Sequence, residues 1–67
     1  MKYSMVIKWS DDDDAYLVLL PEWAEGPITD GPSYAEAAQK GADVLDTFIE
    51  ITKRDGRPLP QPGIYAA

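Results

Sequence analysis

Sixty-seven residues without a cysteine make room for one domain, residues 1–67, around one thin core, with no disulfide framework and no thiolate metal site. Twelve Asp and Glu against six Lys and Arg give a formal net charge of -6, the wrong sign for holding nucleic acid through its phosphates. No apolar run reaches the roughly 18 residues of a membrane span and no basic-then-apolar leader opens the chain, so no membrane partner is expected and the expected location is cytoplasmic. The acidity suits a basic protein partner, since opposite potentials steer encounter; it equally serves solubility alone.

In chain order, residues 3–10 alternate, with Tyr3, Met5, Ile7 and Trp9 on one side and Ser4, Val6, Lys8 and Ser10 on the other. A period of two with β-branched and aromatic residues predicts a strand. Asp11, Asp12, Asp13 and Asp14 interrupt it, and residues 15–20 are then apolar throughout, Tyr16, Val18 and Leu20 opposing Leu17 and Leu19. The two runs read as a β-hairpin with an acidic tip. Pro21 removes a backbone donor and ends the second strand. Residues 21–32 hold three prolines, two glycines and Trp23. They read as turn, with residues 27–30 as a short third strand at a sheet edge.

Ser33 and Glu36 have the spacing of a capping box, which starts a helix. Ala38, Gly41, Ala42, Leu45, Phe48, Ile49 and Thr52 recur at three- and four-residue steps, while Glu36, Gln39, Lys40, Asp43, Asp46 and Glu50 line the other side. One face packs and the other is wet. Small residues fill the first half, so the helix can approach the sheet closely there; the cost of Gly41 in a helix interior, about 1 kcal/mol relative to alanine, points the same way. Lys53 and Arg54 complement the dipole at the C-terminal end, and Gly56 is suited to a left-handed residue beyond it. Residues 57–62 carry three prolines and form an extended spacer, after which Ile64 and Tyr65 offer a short last strand. The expected fold class is α+β: a small antiparallel or mixed sheet, in the order β-β-β-α-β, with one helix packed on one face.

The adjacent carboxylates 11–14 invite a hard cation, but neighbouring turn residues point apart, and no glycine or bidentate glutamate follows at calcium-loop spacing. A solvated tip, or a contact for a partner, is the better reading. The chain has no histidine and no cysteine, which removes the commonest general base and the best nucleophile. Asp30 and Glu36 would make a two-metal nuclease site only if the fold set further carboxylates beside them. No catalytic residue, no metal site and no cofactor is expected. Trp9 reads as core, and Trp23, between Glu22 and Glu25, as either a lid on the core or an interface anchor. The candidate partner-binding residues are Asp11, Asp12, Asp13, Asp14, Glu22, Trp23 and Glu25. A second strand apolar on both faces wants cover on both sides, which makes Leu17, Leu19, Ile64 and Tyr65 candidates for a homo-oligomer interface, in a dimer or tetramer.

Taken together, Tyr3-Ser4-Met5-Val6-Ile7-Lys8-Trp9-Ser10, the acidic turn, Ala15-Tyr16-Leu17-Val18-Leu19-Leu20-Pro21-Glu22, Gly31, Tyr34-Ala35-Glu36-Ala37 and Pro58-Leu59-Pro60-Gln61-Pro62 resemble a HicB-like antitoxin domain across nearly the whole chain. The resemblance implies a partial ribonuclease-H-like fold that does not retain the nuclease's catalytic carboxylates. It also implies an antitoxin that covers HicA, a small basic toxin that cleaves messenger RNA with a histidine. Complete antitoxins of this family often add a helix-turn-helix or ribbon-helix-helix domain that binds DNA. Residues 1–67 contain none, so direct nucleic-acid binding and autorepression are not carried over. The alternative reading is a solitary homo-oligomeric HicB-like scaffold or regulator without a toxin partner.

Overall fold

The alternation near the N-terminus and the apolar run after the tip do pair. In the computed structural model, which describes residues 2–64, β1 (Val6–Ser10), β2 (Ala15–Leu19), β3 (Thr29–Gly31) and α1 (Tyr34–Arg54) follow in chain order. The strands form one antiparallel sheet in the order β1-β2-β3. The class is therefore α+β, with three antiparallel strands and one helix. β1 begins later than its alternation suggests because the Ser4 N–H is given to the Glu22 carboxylate instead of to a ladder. β3 begins at Thr29 rather than at residue 27, where a proline has no N–H to offer. Residues 63 and 64, expected to open a last strand, are irregular, and Tyr65 lies outside the described residues.

Register fixes the faces. Ile7 pairs with Val18 and Trp9 with Tyr16, and residues directly opposite share a face of the sheet. A Cβ on Gly41 would lie 2.8 Å from Val18 Cγ1 and 2.9 Å from Met5 Sδ, so this is the face under α1. A Cβ on Gly31 would meet the backbone N of Ala37 at 2.7 Å. The helix thus rides on two glycines, one in β3 and one in its own second turn, which is the close approach its small residues anticipated. Val18, Leu20 and Ala37 are wholly buried between the layers. Ala37 belongs to the packed stripe although the periodicity centres that stripe nearer Ala38.

The helix ends follow their sequence signals. Ser33 is the N-cap and its hydroxyl accepts from the Glu36 N–H, satisfying a donor the first turn leaves free. At the other end Asp55 is the C-cap, its N–H bonded back to the Ile51 carbonyl, and Gly56 takes φ 72, a left-handed conformation that glycine adopts without steric cost. The Cα envelope is 19 Å in its shortest dimension, the depth of one sheet and one helix. No described strand or helix lies over the second face of the sheet, which carries Val6, Lys8, Ser10, Ala15, Leu17, Leu19 and Asp30.

Candidate protein-binding surface

The hairpin tip is built by local hydrogen bonds. The Ser10 hydroxyl donates to Asp13 Oδ2 at 2.8 Å and accepts from the Asp13 N–H at 3.3 Å, an arrangement that lets serine turn the chain. Asp14 closes the loop at φ 50, a left-handed position that aspartate tolerates better than most residues. All four aspartates are exposed, and among the described residues no group of three or more His, Cys, Asp or Glu is placed to hold a metal.

Beside the tip stands a row of aromatic rings. Trp9 meets Tyr16 edge to face, centroids 5.0 Å apart, and Tyr16 lies 4.3 Å from Tyr34. Trp9 is not core, as its position in the alternation suggests, but 48% exposed, and Tyr34 is 61% exposed. Both facts have one cause. Tyr34 is the first helical residue, so its own ring is the last cover α1 can give, and Trp9 on the outer strand lies past it. The Trp9 indole N–H donates to Asp11 Oδ1 at 2.6 Å, joining the rings to the acidic tip. Negative ring faces next to carboxylates form a surface that attracts Lys and Arg, each exposed ring contact contributing about 0.5–1 kcal/mol. Alternation marks Trp9 and Tyr16 as sharing a face; nothing in it marks how far along that face the helix reaches.

Glu22, Trp23 and Glu25 do not join this surface. They follow β2 and so sit about 17 Å from the tip, the length of a five-residue strand. The Glu22 carboxylate is committed internally: it accepts from the Ser4 N–H at 3.1 Å, the Ser4 hydroxyl at 2.9 Å and the Gly63 N–H at 2.8 Å. This clasp ties the proline-rich segment to the start of the sheet. It holds the Glu22 carboxyl below the usual carboxylate range; the Gly63 N–H lowers it most, partial burial pulls the other way, and the Ser4 hydroxyl and N–H add to the lowering.

Trp23 is the lid rather than a free anchor. It packs edge to face on Tyr3 at 5.2 Å and beside Phe48 at 5.8 Å, while the Tyr3 hydroxyl donates to the Pro60 carbonyl at 2.7 Å. Its indole nitrogen is buried without a hydrogen-bond partner among the described residues. Trp23, Phe48, Ile51, Thr52, Arg57 and Pro60 line an open groove of about 600 Å³ between α1 and the proline segment. Glu25 is exposed. Of the residues expected at an oligomer interface, Leu17 and Leu19 share the sheet face opposite α1, where both are half-buried, Ile64 is 64% exposed at the clasp, and Tyr65 is outside the described residues.

Comparison with protein families, curated proteins and solved structures finds no match for the chain. No described helix is long and apolar enough to cross a membrane.

Proposed function

We propose that this chain is a non-enzymatic, cytoplasmic protein-binding module of the HicB antitoxin type, which neutralises a small basic HicA-type ribonuclease by covering it. The observation that carries the reading is the junction of the exposed rings Trp9 and Tyr34 with the acidic tip through the Trp9–Asp11 hydrogen bond. Aromatic faces anchor an interface and carboxylates select a basic partner. The net charge of -6 supports the same sign of partner. The β-β-β-α order of the described residues is compatible with the first part of a partial ribonuclease-H-like fold. No catalytic set is assigned, since histidine and cysteine are absent from the sequence.

A pull-down from native lysate, followed by an mRNA-cleavage assay on whatever is captured, tests the reading. The expected catch is a small basic ribonuclease whose activity this chain suppresses, with affinity about tenfold weaker for Trp9→Ala or Tyr34→Ala. Failure to retain any basic protein, or retention that both variants leave unchanged, overturns it.

A further inference from the structure

The sheet face opposite α1, over which no described strand or helix lies, carries an ordered pattern of charge. Antiparallel register sets three rows across it: Val6 beside Leu19, then Lys8 beside Leu17 beside Asp30, then Ser10 beside Ala15. The central strand contributes only Ala15, Leu17 and Leu19, all half-buried, whereas Lys8 on β1 and Asp30 on β3 are exposed. Ion pairs among the described residues join Arg54 to Glu50 and Arg57 to Asp55. Lys8 and Asp30 are in neither, and the width of β2 holds them roughly 10 Å apart at their backbones.

We infer that this face packs against the same face of a second copy of the chain, about a two-fold axis running along β2. The charges select that axis. Rotation about a line parallel to β2 exchanges the positions of β1 and β3 while keeping every row at its own level. Lys8 then lies over the partner subunit's Asp30, Asp30 over the partner subunit's Lys8, and each leucine of β2 over its own copy. An axis across the strands sets lysine over lysine and aspartate over aspartate. A right-angle crossing sets both charges over the apolar side chains of β2. Only the first arrangement is self-complementary, as a two-fold interface must be. Aligned sheets pack about 10 Å apart with strands inclined by roughly 30°, a displacement that a lysine stem can span.

The contact is small. Three strands of this length present about 250 Å² in plan, well under the roughly 800 Å² that each partner buries in a standard interface, so a weak dimer is expected. The axis also brings both acidic tips to one end, where they repel across about one Debye length. This inference concerns a different face from the proposed partner surface and does not rest on it.

Sedimentation equilibrium of the purified chain between about 10 µM and about 1 mM, without any partner, is the test. A monomer–dimer equilibrium is expected, abolished by Leu17→Glu and weakened about fivefold by Lys8→Glu or by Asp30→Lys. The double variant Lys8→Glu/Asp30→Lys restores the pairing in reverse and should return to the wild-type constant. Asn at positions 11–14 should tighten the dimer. A wild-type monomer throughout, a dimer indifferent to Leu17→Glu, or a double variant no better than its parents would each overturn the inference. Circular dichroism confirms that every variant is folded; if Leu17→Glu is not, the charge exchange decides alone.

Discussion

The two ends of α1 each carry a tryptophan set edge to face on a tyrosine with centroids about 5 Å apart, Trp9 on Tyr16 and Trp23 on Tyr3, yet they are opposite kinds of structure. At the C-terminal end Phe48 supports Trp23 from the helix, the Tyr3 hydroxyl reaches Pro60, and the Glu22 clasp fastens the strap. At the N-terminal end the row runs out past the first helical residue, and its polar contact is an exposed aspartate. The same side chain is half-buried where chain returns over it and about half exposed where it does not. Position along one helix therefore decides how much of each tryptophan the fold covers.

The sharpest way to break that contrast is Trp23→Ala. Removing a tryptophan packed between two rings should cost about 3 kcal/mol, most of what a chain of this size holds in reserve, and a large drop in the urea midpoint is the readout. Gly31→Ala comes next and probes the open end. Its new Cβ would sit 2.7 Å from Ala37 N and 2.9 Å from Ala37 Cα, backbone atoms that yield only if the helix start moves. About 2 kcal/mol is expected from such overpacking, and a neutral outcome would show that this end of the helix is loosely seated.

The clasp provides a dependence on pH. Because the folded Glu22 carboxyl lies below its usual range, its contribution to stability is present above the unfolded value and is lost as pH falls through the lower folded one. Glu22→Gln should lower the urea midpoint at neutral pH and leave it closer to wild type at strongly acid pH. A constant gap across that acid window would mean that the carboxylate's charge is not what holds the strap. Smaller effects belong to the open end. Trp9→Ala should change stability by less than about 1 kcal/mol while weakening capture of a basic partner. Replacing all four tip aspartates by asparagine should alter stability by about 0.5 kcal/mol or less, with the effect appearing instead in the salt dependence of association rate. A Trp9→Ala loss as large as that of Trp23→Ala would erase the distinction between the ends.

Local signals were legible. The hairpin, the Ser33 cap and the left-handed Gly56 each depend on residues a few positions apart, so spacing alone finds them. The closeness of α1 was readable from its small residues, although Gly31, which permits the tightest approach, lies in a strand too short to show a period. What spacing does not carry is reach. Trp9 shares a face with Ile7, but its exposure is decided by where the helix begins, a residue 25 positions away in the chain. The Glu22 clasp spans 18 residues to Ser4 and 41 to Gly63. A glutamate beside a tryptophan in a proline-flanked loop looks like surface chemistry until those two segments are brought to it. The tip and the 22–25 loop, both acidic in sequence, are separated by the length of β2.

The sequence contains two tryptophans, and the fold places one at each end of α1, so the protein carries its own pair of optical probes. Trp23, half-buried with an indole N–H that lacks a partner among the described residues, packs against Tyr3 and Phe48 in surroundings that unfolding replaces with water; Trp9, about half exposed and bonded to Asp11, is already wet and, on the proposed function, is where a partner would dock. A Trp9→Phe chain should report folding in its emission and stay silent on binding. A Trp23→Tyr chain, if folded, should do the reverse, so that the two processes can be followed separately in one molecule without any added label.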